Sequence, residues 1–230
     1  MKKSMWGLVG VALAASVVAA SAQEVLSANT IGYIKRELPA QGKLITVAVP
    51  LYNMTAAQNA FSNLSIATEA PVGSTATFWD STQQKWVGGP RGTKGWDVSV
   101  ISQIVDAGEF FFIKGPAAST EPTEITIAGE VPADASMVRT FTGNSNLTAM
   151  ANLYPADFVF TNSSLATRAT VGSSAFFWDV DGQKWVGGPK GTKGWDTAVI
   201  TQRVMATSGF FFKEVGAIAS WTNAKPYTWP

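Results

Sequence analysis

The 230-residue chain has no cysteine and no histidine, carries 17 basic and 16 acidic residues, and is 46% hydrophobic but only 14% charged. The two absences remove serine–histidine and cysteine–histidine nucleophile systems, imidazole and thiolate metal sites, iron–sulfur clusters and disulfide scaffolds. A charged fraction far below the roughly 25% of an average globular protein predicts a packed core rather than a disordered chain.

The N-terminus combines Lys2 and Lys3, an apolar run from Trp6 to Ala20 and the small triplet Ala20-Ser21-Ala22. This is the layout of a secretory signal peptide over residues 1–22, cleaved near Ala22 to deliver the chain to the periplasm, cell surface or extracellular space. The rival, a retained anchor, suffers from a run that is short for a span of roughly 20 residues. Cleavage removes two of the 17 basic residues and no acid, leaving 15 against 16, a net charge of −1. Electrostatics then gives no reason to expect nucleic acid or an anionic membrane as partner. No later segment reads as a membrane-crossing helix, and strands so often broken by Gly and Pro look short for an outer-membrane barrel. A secreted chain without cysteine must draw its stability from packing or from assembly with other chains.

Beyond the signal segment the chain is duplicated. Gly73 to Gln103 returns 99 positions later as Gly172 to Gln202, the mark of a repeat architecture. Upstream, Asn63 to Thr68 is echoed by Asn162 to Thr167, and Leu51-Tyr52 by Leu153-Tyr154. Downstream, Phe110-Phe111-Phe112 is aligned with Phe210-Phe211-Phe212 across a one-residue insertion. The expected division is a first β-rich repeat over 23–128 and a second over 129–230. A central strand at about 123–130 is shared, because Thr126 to Glu130 resembles Thr30 to Ile34. Only Gly115 to Pro122 has linker composition, so a closely packed pair of modules is expected rather than two beads on a string.

Apolar alternation at Val47, Val49 and Leu51 and at Ile125 and Ile127 reads as strand, and 11 prolines and 21 glycines leave little room for long helices. Thr55 to Leu64 suits one short amphipathic helix. Asp97 and Asp196 are candidate helix caps, but the β-branched Val98-Ser99-Val100-Ile101 and Val199-Ile200 favour strand. The predicted fold class is therefore all-β: two tandem homologous repeats, pseudo-twofold, forming a β-sandwich-like body or a close pair of β-modules.

The sharpest local expectation is a hairpin. Asp181-Gly182 between Phe176 to Val180 and Gln183 to Val186 signals a two-residue turn, which sets Trp178 opposite Trp185, Asp179 opposite Lys184 and Phe177 opposite Val186. The first copy gives Trp79 with Trp86, Asp80 with Lys85 and Phe78 with Val87, around a wider loop that lacks the glycine. Alternation then puts each tryptophan pair on one face. Two placements stand open: a core between two sheets, since tryptophan is highly buried on average, or an exposed stacking platform for a sugar ring or partner. Gln84 to Asp97 and Gln183 to Asp196 differ at one position in fourteen, Arg91 against Lys190. Recent duplication, gene conversion, a demanding loop geometry of glycines, proline and anchoring tryptophan, or a binding loop would each produce that identity. The candidate interaction residues are therefore Trp79, Trp86, Arg91, Lys94 and Trp96 with their counterparts Trp178, Trp185, Lys190, Lys193 and Trp195.

Other motifs fail on inspection. Gly89 to Lys94 has Thr and Lys in the wrong order for a phosphate loop, and Asp179 to Gly182 lacks the later ligands of a calcium loop. Asp80, Asp97, Asp179 and Asp196 recur as carboxylates that a glycoside hydrolase could use, but the cross-strand lysines are expected to hold Asp80 and Asp179 ionised. No catalytic residue, metal or cofactor is expected.

The order of signal peptide, short strand (Ile31 to Ile34), strand into Pro50-Leu51-Tyr52, Phe/Trp hairpin and Gly108-Glu109-Phe110-Phe111-Phe112-Ile113-Lys114 resembles uncharacterised secreted β-rich tandem-repeat modules of bacterial envelope and surface proteins. Asp106 to Phe110 and Ser208 to Phe210 match in part the glycine-phenylalanine strand start of those modules. The resemblance implies an all-β envelope or extracellular protein with no assigned catalytic residue. The expected function is a non-enzymatic structural or adhesive protein of the cell surface, matrix or a fibre, assembling with itself or with envelope partners. The alternative is carbohydrate binding through the duplicated tryptophans, gaining avidity on a polysaccharide; glycoside hydrolysis through aspartate pairs is a minor alternative.

Overall fold

The computed structural model describes residues 30–52, 59–142 and 145–228. The expected signal peptide and the first part of the expected Thr55–Leu64 helix lie outside the described residues. In chain order the strands are β1 (Ile31–Leu38), β2 (Leu44–Ala48), β3 (Thr75–Asp80), β4 (Lys85–Gly92), β5 (Gly95–Trp96), β6 (Phe110–Lys114), β7 (Thr123–Glu130) and β8 (Ser136–Thr140). There follow β9 (Leu147–Ala151), β10 (Phe158–Val159), β11 (Ser174–Asp179), β12 (Lys184–Gly191), β13 (Gly194–Trp195), β14 (Arg203–Val204), β15 (Gly209–Lys213) and β16 (Ser220–Ala224). The helices are short: α1 (Ser65–Glu69), α2 (Val98–Ile101), α3 (Ser164–Arg168) and α4 (Thr197–Ile200). With 45% of residues in strands and 13% in helix, the fold is mostly β, and the paired strands run antiparallel.

Two five-stranded sheets dominate, ordered β2-β6-β3-β4-β5 and β9-β15-β11-β12-β13. Two-stranded ribbons flank them: β1 with β7 over eight residues, and β8 with β16 over five. The phenylalanine runs explain the layering. β6 and β15 are inner strands covered on both faces, so they read as continuous apolar stretches instead of alternating ones. Phe111 and Ile113 face a core with Val47, Phe61 and Phe78, while Phe110 and Phe112 face the other way. Phe210 and Phe212 join a second core with Met150, Phe160 and Phe177, and Phe211 turns toward Phe110 and Phe112. Each sheet thus has its own outer core beneath its short helices, and the two sheets share a third core between them.

The tryptophan hairpins form in the expected register, with Trp79↔Trp86, Asp80↔Lys85 and Phe78↔Val87 in one and Trp178↔Trp185, Asp179↔Lys184 and Phe177↔Val186 in the other. The turn differs from expectation. Asp181-Gly182 is not a two-residue turn; both hairpins close through four residues, 81–84 and 180–183. The left-handed position falls on Gln84 (φ 52°) and Gln183 (φ 49°), not on Gly182. Asp80 Oδ1 accepts from the amides of Thr82 and Gln83, and Asp179 Oδ1 from those of Asp181 and Gly182. The aspartates therefore brace their loops by accepting amide protons, and neither forms an ion pair with the facing lysine.

The segments after Asp97 and Asp196 are helices, not strands. Asp97 accepts from the Ser99 amide at 2.8 Å and Asp196 from the Ala198 amide at 2.8 Å, so each single turn is held by its N-cap, which outweighs the β-branched residues behind it. The Ser99 hydroxyl and amide lower the Asp97 carboxyl below its usual value. Within Thr55–Leu64, the described part has an extended Ala60 and a single 3-10 turn, Phe61–Asn63. The register also removes the expected insertion: Phe111 pairs with Phe78 and Phe210 with Phe177. The 99-residue offset thus continues through these strands, and the counterpart of Phe110 is Gly209.

Candidate functional site

The two sheets face each other across an aromatic layer. Trp79 and Trp86 meet edge to face at 5.1 Å, as do Trp178 and Trp185 at 5.3 Å, and Phe110, Phe112 and Phe211 interleave with them. The edge-to-face geometry brings the positive rim of one ring to the negative face of the next. The tryptophan pairs are thus packed between sheets and do not form open platforms, although Trp86 keeps 40% of its surface exposed.

The hairpins also grip each other's sheet. Trp79 Nε1 donates to the Leu147 carbonyl at 3.0 Å, Gln84 Nε2 donates to the same oxygen at 2.9 Å, and Gln84 Oε1 accepts the Leu147 amide at 2.9 Å. The reverse set joins Trp178 Nε1 and Gln183 to Leu44, with the Leu44 amide donating to Gln183 Oε1 at 2.8 Å. Leu44 and Leu147 lie on β2 and β9, the outer strands of the two sheets, whose unpaired backbone groups would otherwise template another chain. Further along those strands, the Ala48 amide donates to the Thr207 carbonyl and the Ala151 amide to the Gly108 carbonyl. The β2 and β9 edges are therefore each capped from the opposite half of the chain.

The near-identical stretch is mostly structural. Gly88 and Gly187 sit where a Cβ would lie 2.1 and 2.0 Å from the carbonyls of Ala76 and Ala175, so neighbouring backbone excludes any side chain. Arg91 donates to the carbonyls of Thr68 and Ala70, and Lys190 to those of Ala166, Thr167 and Ala169. Both close the C-terminal turn of a helix, α1 or α3, where carbonyls lack partners and the dipole favours a cation. Trp96 and Trp195 donate to the carbonyls of Ala67 and Ala166 and stand edge to face against Phe61 and Phe160. Lys94 and Lys193 are exposed at the tips of the β4–β5 and β12–β13 reversals. Of the ten candidates the structure brings the four hairpin tryptophans together and leaves the four loop cations and two anchoring tryptophans apart from them.

Of those four, Trp86, Trp178 and Trp185 line a cleft of about 460 Å³ with Leu44, Thr75, Thr77, Phe112 and Lys114. Sequence reasoning missed Thr75, Thr77 and Lys114, whose only signal was their position, two residues apart on β3 or opposite on β6. It also missed Gln84 and Gln183, although both stand in the fourteen-residue matched stretch. Among the described residues no three carboxylates gather as a metal site, and no helix is long and apolar enough to cross a membrane.

The segment 131–135 between β7 and β8 is held by phenols. Tyr52 donates to Asp134 Oδ2, Tyr154 to the Asp134 carbonyl and Tyr227 to the Pro132 carbonyl, each at 2.9 Å. Burial, aided for Tyr52 by Asp134, raises Tyr52 and Tyr227 to about 12. Arg36 on β1 reaches the Thr207 carbonyl at 2.8 Å, and burial lowers its pKa. Comparison with protein-family models, curated proteins and solved structures gave no match.

Proposed function

We propose that this chain is an exported, non-catalytic structural or adhesive protein of the cell surface or extracellular matrix, built from two pseudo-twofold units that assemble with further copies of the chain. The first unit ends with β7 and the second begins with β8. Matching sheet orders, the common 99-residue offset and the reciprocal Trp-Gln grips support that division. The grips and the aromatic layer provide the covalent-free stability that a secreted chain lacking cysteine requires.

The observation that carries assembly is the free edge of β1. Thr30 and Val131 share a backbone hydrogen bond, so even-numbered residues of β1 point their backbone groups at β7 and odd-numbered ones point away. Ile31, Tyr33, Lys35 and Glu37 thus present unpaired N–H and C=O groups, with Tyr33 70% exposed, and among the described residues β1 pairs only with β7. β8 repeats this with Ser136, Val138 and Thr140 directed away from β16. Such an edge accepts an added strand. Sedimentation velocity over a concentration series of the exported chain should show species above the monomer. Tyr33→Lys, which puts a charge on that edge, should shift them back to monomer; a wild-type monomer at every concentration refutes the proposal.

A further inference from the structure

The lining of the aromatic cleft includes Thr77, a position at which the two copies differ. Thr77 of β3 pairs with Phe112, and its counterpart Phe176 of β11 pairs with Phe211. Phe176 packs into the aromatic layer. Thr77 is too small to fill the corresponding place, and there the cleft opens beside the 40%-exposed Trp86.

Its lining is chemically two-sided. Trp86, Trp178, Trp185 and Phe112 supply aromatic surface. The hydroxyls of Thr75 and Thr77, the ammonium of Lys114, and the indole N–H groups of Trp86 and Trp185 have no partner among the described residues. Covering those groups with a purely apolar ligand would desolvate them without replacement, which is costly. A ligand matched to both sides has C–H faces to stack on indole, hydroxyls to meet threonine and indole donors, and one anionic group for an exposed lysine at the rim. The volume falls in the range of small-ligand pockets, roughly 300–1,000 Å³.

We infer that this cleft binds an acidic pyranose, a uronic acid unit of a polysaccharide, by stacking on the exposed part of Trp86 at its mouth with the carboxylate at Lys114. The site uses Trp86, Trp178 and Trp185 together with Thr75, Thr77 and Lys114, and it is independent of the β1 edge. Binding is non-covalent and gives the surface protein an attachment to acidic polysaccharide.

The test is titration of the whole exported chain with trigalacturonate and, in parallel, with neutral cellotriose, followed by tryptophan fluorescence and calorimetry. Trigalacturonate should quench the fluorescence and bind at least about tenfold more tightly than cellotriose, a difference that Lys114→Gln abolishes. Thr77→Phe, which places in this cleft the ring the other side already has, should remove binding while leaving the melting temperature unlowered. Thr75→Val with Thr77→Val, which keeps the shape and deletes both hydroxyls, should weaken it about tenfold and serves if Thr77→Phe does not fold. Absence of trigalacturonate binding, equal affinity for the neutral sugar, or binding untouched by the threonine variants overturns the inference. Sedimentation of Tyr33→Lys reads the assembly proposal separately, so the two can fail independently.

Discussion

Replacing Gly209 by alanine should destabilise the protein strongly in the presence of Phe110 and hardly at all in its absence. A Cβ at 209 would lie 2.3 Å from both Cβ and Cγ of Phe110, at the root of that side chain where no rotamer change makes room. Phe110 is only 3% exposed and is packed on Phe112 at 5.9 Å and Phe211 at 5.2 Å. Overpacking of this kind costs about 1–3 kcal/mol, which for a chain of this size lowers the melting temperature by about 2–4 °C per kcal/mol. Phe110→Gly alone, which removes the clashing Cβ as well as the ring, leaves a cavity and should cost at least about 3–5 kcal/mol. In the double variant the alanine at 209 partly fills that cavity, so the two effects should fall short of their sum by about 1–3 kcal/mol. Urea unfolding of the four proteins, followed by tryptophan fluorescence, measures the cycle. A sharper version exchanges the residues, Phe110→Gly with Gly209→Phe: if the halves are related by a twofold, the ring returns to nearly the same volume and recovers stability lost in either single variant. Additivity within about 0.5 kcal/mol in the cycle of Gly209→Ala with Phe110→Gly would refute the steric argument.

Two further outcomes are expected. Gln84→Ala and Gln183→Ala should each cost about 1–3 kcal/mol, because each strands the backbone N–H of Leu147 or Leu44 at a half-buried sheet edge, and hydrogen exchange at that one amide should accelerate while the other stays protected. Tyr52 and Tyr227 ionise near 12 in the folded chain against about 10 when unfolded. The unfolded state therefore loses its phenol protons first, so stability present below pH 10 should decline between about pH 10 and 12. Tyr52→Phe should flatten that decline in urea titrations at alkaline pH; an unchanged slope would contradict the assigned role of the phenol.

What the sequence made legible was local and periodic. Facing residues in the hairpins followed from alternation, because a slip of one would have turned Phe78 and Phe177 away from their cores. The loop type did not follow, since Asp-Gly is a strong turn signal but the Gln183 side chain reaches the Val180 and Leu44 carbonyls and holds its own residue in the left-handed region. The single-turn helices were hidden because β-branched propensity points one way and a cap of one hydrogen bond the other. Burial of the tryptophans was an open choice: whether a ribbon face meets solvent or a second sheet depends on contacts 60 to 140 residues away, such as Trp79 to Leu147 and Trp178 to Leu44. The cleft was illegible for a related reason, as it arises from the difference between Thr77 and Phe176 seen across an interface, not from a motif.

The meeting of Phe110 with Gly209 also constrains how the two halves can evolve. A residue that touches its own counterpart cannot take the same bulky identity in both copies, so recombination that homogenised the halves through this point would yield either colliding rings or an empty gap. Sequence exchange between the copies is tolerated where the contacts across the middle are reciprocal, as at Gln84 with Leu147 and Gln183 with Leu44, within the stretches Gln84 to Asp97 and Gln183 to Asp196 that share thirteen positions. It is disfavoured where aligned positions meet each other, as Phe110 and Gly209 do, because one bulky side chain fills the space that both would need.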